Sequence, residues 1–184
     1  MRAILPGLLD AARIIHDRLP ATQLVLARAP HLSDELFAGI DAGGPAIPVI
    51  ENATDDVLAA ADVALVASGT VTVQAALRAC PMVVVYRLSP LTYRLGRPFV
   101  RVNTFAMANL VAGHQVVPEL MQDDFTPDAV ARHALAILED PRTADAMRVA
   151  LRTVKARLGT PGASRRAAEA VLAVAARTTA ERLE

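Results

Sequence analysis

The chain has 184 residues, 53% of them hydrophobic and only 3% aromatic, and its 19 basic and 19 acidic side chains cancel to a formal charge of zero. That length supports one compact domain with an aliphatic core rather than two large ones, and the apolar share excludes a disordered chain. No global positive field exists to attract nucleic acid, the single cysteine Cys80 excludes an internal disulfide framework or a cysteine-based metal site, and no apolar run is long enough to span a bilayer.

Helix and strand signals alternate from the start. Residues 7–19 read as an amphipathic helix, with Pro6 acceptable in its first turn. Residues 23–27 read as a short buried strand. Ser33, Asp34 and Glu35 combine an N-cap with an acidic first turn and open a helix that Gly43-Gly44-Pro45 ends. Residues 46–51 read as a second strand, Thr54 caps a short helix over 55–61, and residues 62–66 form a third strand. Ser68-Gly69-Thr70 is a tight turn into a helix running to about Ala79.

Met82-Val83-Val84-Val85-Tyr86 is a fourth strand. Its unbroken apolar character suits a strand covered on both faces, as in a parallel sheet. Ser89-Pro90 starts a helix to about Arg97. Arg101-Val102 allows a short strand, and residues 109–114 read as a loop or short turn. Thr126-Pro127 begins a helix to Glu139, and Asp140-Pro141 begins a second to about Leu158. After a break at 159–162, Ser164 caps a last alanine-rich helix. Strands separated by helices predict an α/β fold, a Rossmann-like doubly wound parallel sheet in a single domain. The three helices of the tail, from about residue 126 onward, pack on the sheet edge or reach another domain or subunit.

The stretch 62–87 is the most informative for function. In a parallel sheet the turn after the third strand lies at the carboxyl edge, where such folds bind ligands. A helix N-terminus there presents unpaired amides and a partial positive charge. Gly69 permits close backbone approach, and the hydroxyls of Ser68 and Thr70 can donate to phosphate oxygens. Plain helix capping by Ser68 is the competing reading. Gln74 lies one helical turn beyond Thr70 on the same face, where it reaches a ribose hydroxyl or stands in solvent. The turn is neither a Walker loop nor a dinucleotide Gly-x-Gly-x-x-Gly motif.

These blocks resemble the lipid-A-disaccharide synthase family. The resemblance is carried by Ala67-Ser68-Gly69-Thr70, by Ala75-Ala76-Leu77, and by the run from Cys80-Pro81-Met82 through Tyr86-Arg87-Leu88-Ser89-Pro90-Leu91-Thr92-Tyr93. It continues in Asn109-Leu110-Val111-Ala112-Gly113 and in Val116-Val117-Pro118-Glu119-Leu120-Met121-Gln122. It runs from near Met1 to about Ala175. The Tyr-Arg-x-Ser-Pro-x-Thr-Tyr and Asn-x-x-Ala-Gly blocks are its specific parts.

The resemblance implies one half of a GT-B glycosyltransferase, the nucleotide-sugar-binding C-terminal half. The family transfers a diacylated glucosamine from UDP to a diacylglucosamine 1-phosphate, the lipid X-type acceptor, without a bound metal or other cofactor. Carried over by position, Ser68, Gly69 and Thr70 meet the diphosphate and Gln74 faces the ribose. Asn109 and its loop, with Gly113, His114 and Gln115, sit near the donor sugar and diphosphate. Ile50 and Glu51 lie near the uracil, and Tyr86 and Arg87 are secondary candidates. Location on the cytoplasmic face of the inner membrane and pairing into a homodimer are further implications.

Three departures stand against the pattern. Gln74 replaces a usual Glu, and His114-Gln115 replaces a usual Arg-Glu. The family's N-terminal domain, which carries the acceptor site and the acidic residue proposed as base, is missing, so the chain is expected to be inactive without it. Two alternatives follow: a degenerate, non-catalytic module of the same fold, motivated by Gln74, His114 and Gln115, or another nucleotide-sugar enzyme such as an epimerase or a peptidoglycan transferase.

Other polar residues carry simpler readings. His16 and His133 are expected at the surface, and His31 has no partner spacing for a metal. Asp123-Asp124 is a solvated turn before a capped helix. Arg94, Arg97 and Arg101, among Leu91, Tyr93, Leu95, Pro98 and Phe99, form either an ordinary amphipathic helix or a contact for anionic lipid.

Overall fold

The computed structural model describes residues 3–29, 32–37, 40, 44–88, 104–160 and 162–181. In chain order it contains α1 (Leu5–Arg18), β1 (Leu26–Arg28), β2 (Val49–Glu51), α2 (Thr54–Ala60), β3 (Ala64–Ala67), α3 (Val71–Leu77) and β4 (Met82–Tyr86). There follow α4 (Met107–Ala112), β5 (Glu119–Met121), α5 (Pro127–Glu139), α6 (Pro141–Arg157) and α7 (Ala163–Glu181). The expected helix after Ser89, the strand at Arg101-Val102, the arginine segment and His31 lie outside the described residues.

The fold is α/β with every strand pair parallel, as the alternation predicted. The strands form two sheets instead of one: β1 with β2, and β3-β4-β5 with β4 in the middle. β1 and β2 are three residues each and β2 is exposed along its length, so little apolar surface draws this pair onto the larger sheet.

β4 explains the layering. Successive side chains of a strand point to opposite faces. Val83 and Val85 face a core with Ile4, Ala11 and Ile15 of the α1 region and Val130, Ala134 and Ile137 of α5. Met82 and Val84 face a second core with Ala75 and Ala76 of α3 and Leu151 and Val154 of α6. Both faces of the strand are closed, as its apolar run required.

Several sequence expectations need correction. Residues 107–112 form a helix, not a loop: Ala108, Asn109 and Ala112 are buried on one side, and Gly113 ends the helix in the left-handed region at φ 75°. β5 was not foreseen, because a three-residue strand opening on Glu119 carries almost no periodic signal. Thr54 does not cap α2, whose N-cap is Ala53, and Ser164 lies inside the first turn of α7. The caps at Thr126 and Asp140 form as expected. Ala129 donates its amide to Thr126 Oγ1 at 3.2 Å, and Arg142 donates to Asp140 Oδ1 at 3.0 Å. The Thr143 hydroxyl and the Arg142 amide hold the Asp140 carboxyl below its ordinary range. His16 is only half-buried and His133 likewise; burial, then Arg132, pushes the His133 imidazole down. α7 is exposed from Ala163 to Val174, including Val171, Leu172 and Val174.

Cys80 sits at the entry to β4 with 3% exposure, its thiol near the carbonyls of Pro81 and Ala61. Burial pushes the thiol up from 9.0 to about 11, against the opposing pull of Arg148 and with a small push from Asp62. The folded chain therefore holds this proton more tightly than the unfolded chain. The resulting stability is complete below about pH 9 and is lost as pH rises through 11. A thiol reagent at pH 8 should leave the native protein unlabelled and modify it promptly in denaturant. Native labelling at an unhindered rate would contradict this placement.

Candidate functional site

The parallel register brings the carboxyl ends of three strands to one edge. Ala67 pairs with Val85, and Tyr86 with Met121, so Ser68 follows level with Tyr86 and Met121, and Arg87 and Gln122 come one residue further along. This is the edge at which open α/β sheets bind ligands.

Ser68 extends the ladder of β3, donating its amide to Val85 O at 2.8 Å. Its hydroxyl donates to Phe105 O at 3.1 Å, so its proton is engaged within the protein. Gly69 adopts φ 158°, and no described atom lies within 4 Å of where a Cβ would stand. Thr70 is exposed and takes the N-cap position of α3 without a side-chain cap. Capping by Ser68 is therefore not what the turn is for. Thr72 steadies it instead: fully buried, it donates its hydroxyl to Gly69 O at 2.8 Å. The amides of Thr72 and Gln74 turn back to Gly69 O and Thr70 O. Those of Gly69, Thr70 and Val71 meet no acceptor among the described residues. Gln74 is exposed on α3.

Asn109 is 1% exposed and has no hydrogen-bonding position left for a ligand. Its Oδ1 accepts from the amides of Val116 at 2.7 Å and Val117 at 2.9 Å. Its Nδ2 donates to Val117 O at 2.9 Å and to a carboxylate oxygen of Glu119. This side chain grips its own loop.

Gly113, His114 and Gln115 lie at the other edge of the sheet. They deliver the chain to the amino end of β5, and Val117, two residues before Glu119, lies level with Met82. Ser68 lies level with Tyr86, so about 3.3 Å per residue puts the two edges roughly 13 Å apart. His114 Nδ1–H donates back to Ala112 O at 3.1 Å, and Arg157 Nη1 donates to Val111 O at 3.1 Å and to Ala112 O. Both groups satisfy the last carbonyls of α4. Gln115 is exposed at the same edge.

The secondary candidates scatter. Tyr86 stacks on Phe105 with ring centroids 6.1 Å apart, close behind Ser68. Arg87 lies over the Phe125 ring at 4.6 Å and donates to Phe125 O at 2.8 Å and to the carbonyls of Gln122 and Ala3, which makes it a clasp for the chain around β4. Ile50 and Glu51 belong to the separate β1-β2 sheet, where Arg28 reaches Glu51 at 3.1 Å across the pair. Among the described residues, no group of His, Cys, Asp or Glu is placed to hold a metal, and no helix is long and apolar enough to cross a membrane.

With that geometry in hand, comparison with known proteins is decisive. The family model for lipid-A-disaccharide synthetase matches residues 1–174. The chain belongs to that family. It is 39% identical over 170 residues to the lipid-A-disaccharide synthase of Geobacter sulfurreducens, covering 92% of this chain and 44% of that protein. It is 39% identical over 176 residues to that of Anaeromyxobacter dehalogenans strain 2CP-C, covering 95% and 46%. Against the Myxococcus xanthus protein the figures are 36% over 173 residues, 94% and 45%. The chain thus spans less than half the length of these lipid-A-disaccharide synthases.

Sequence reading missed three participants: Thr72, Phe105 and Glu119. The Thr-x-Thr spacing after Gly69 was a signal for the first, and the lone acid in Val116-Val117-Pro118-Glu119-Leu120 was one for the last. Phe105 holds Ser68 and Glu119 through its backbone, which leaves no sequence signal.

Proposed function

We propose that this chain is the donor-binding half of a lipid-A-disaccharide synthase, a glycosyltransferase. It holds the UDP of a UDP-diacylglucosamine while a diacylglucosamine unit passes to a diacylglucosamine 1-phosphate. The acceptor site and the base belong to an N-terminal half. Family membership supports the class of reaction, as do the names of relatives 36–39% identical to the chain. One observation carries the siting: three successive amides, of Gly69, Thr70 and Val71, meet no acceptor among the described residues at the carboxyl end of β3, where no described atom lies within 4 Å of a Cβ built on Gly69. Unpaired amides suit a diphosphate and do not depend on the weak dipole of a seven-residue helix. Thr70 adds a free hydroxyl, and Gln74 follows on the same face for a ribose. The acylated substrates favour work at a membrane surface.

The degenerate-module reading loses weight, because two of its three motivating residues, His114 and Gln115, belong to the opposite edge. Titration calorimetry with UDP tests the proposal. The folded chain should bind UDP, and Gly69→Val should weaken binding at least about tenfold, since a branched side chain at φ 158° both strains the turn and fills the open space. Disaccharide formation should need an added N-terminal half. A folded chain that gives no heat with UDP defeats the proposal.

A further inference from the structure

We propose that Glu119 is a positioning residue that braces the Ser68-Gly69-Thr70 turn from across the sheet; this rests on the donor-site reading above. Half-buried at the start of β5, its carboxylate accepts from two directions. Oε2 takes the Phe105 amide at 2.8 Å, and Oε1 takes Asn109 Nδ2. The carbonyl of the same Phe105 accepts the Ser68 hydroxyl at 3.1 Å, and its ring stacks on Tyr86. A continuous polar chain therefore runs from Ser68 through Phe105 and Glu119 to Asn109, and through Asn109 to the amides of Val116 and Val117. It ties the open turn at the carboxyl edge to the loop at the amino edge. Without it, Phe105 would lose its backbone tie to β5, and Ser68 would lose a fixed acceptor.

The charge state of the brace matters as much as its length. Two N–H donors converge on Glu119, so the site needs a group that only accepts. Glutamine has the same shape but one acceptor and one NH₂. Whichever way it turns, a donor faces a donor. Placing the acceptor on the other partner mends that one contact: with Asn109→Asp and Glu119→Gln together, the new amide can donate to the new carboxylate and still accept from Phe105, while the Val117 carbonyl loses the donor that Asn109 gave it.

Amide exchange and UDP calorimetry on the full chain test this, with Asp145→Asn at an exposed site as the charge control. In Glu119→Gln, exchange at Phe105 and Ser68 should accelerate at least about tenfold with the core amides of Val83 and Leu151 unchanged, and UDP should bind about tenfold more weakly. Glu119→Gln made on top of Asn109→Asp should cost less than it does in the parent chain, because it then relieves a contact between two carboxylates, whereas independent packing defects would add. Unchanged exchange at Phe105 and Ser68, acceleration spread evenly over the chain, or local acceleration with unaltered UDP affinity would each overturn the brace. A wild-type chain that binds no UDP removes the donor site instead, and the exchange pattern then decides the brace by itself.

Discussion

Replacing Asn109 with alanine is expected to lower folding stability by about 3–5 kcal/mol, read from the shift of a urea unfolding curve. The side chain lies almost wholly out of solvent and satisfies the Val116 and Val117 amides, the Val117 carbonyl and one Glu119 oxygen. Each group abandoned in the interior costs about 1–3 kcal/mol, reduced by whatever water enters the gap. The damage should centre on residues 115–118, because the lost side chain holds the Val116 and Val117 amides and the Val117 carbonyl. A change below about 1 kcal/mol would show that the loop holds itself without Asn109.

A second large effect is expected at Phe125. Its ring is 2% exposed, lies against Gly7 of α1, and carries the Arg87 guanidinium over its face. Phe125→Ala removes the wedge between α1 and the sheet and should lower stability by about 3–5 kcal/mol. Phe125→Leu keeps most of the volume and should lose clearly less, though it forfeits the cation–ring contact, worth about 0.5–1 kcal/mol. Thermal unfolding of both variants beside the parent chain measures this. Equal losses for the two would assign the stabilisation to the ring's π face instead of its bulk.

Much of the architecture was legible in the sequence because a few local signals were strong. Five consecutive apolar residues, 82–86, announced the central strand to its exact bounds. Thr126-Pro127 and Asp140-Pro141 marked two helix starts because a cap followed by proline leaves the backbone few alternatives. The failures have equally physical causes. α4 and β5 are too short to show a period, and their stability comes from the buried amide of Asn109 and from pairing with β4, neither of which is local. The candidate site split along the same line. The open turn at Gly69 was visible in three letters. The placement of Gly113, His114 and Gln115 was not, since it depends on which end of β5 the chain enters, and β5 was unseen. Ser68 shows a third limit: its type promised a phosphate contact, but only coordinates reveal that its proton goes to Phe105.

The alternation of β4 has a mechanical consequence. Its even-numbered residues anchor one apolar layer and its odd-numbered residues the other, so a single five-residue strand is the seam of the domain. Neither layer can melt while the other stays intact, because losing one side strips cover from the same backbone. Unfolding of the sheet should thus proceed as one cooperative event, and a perturbation on the α1 side will register in the tightness of helices on the far side.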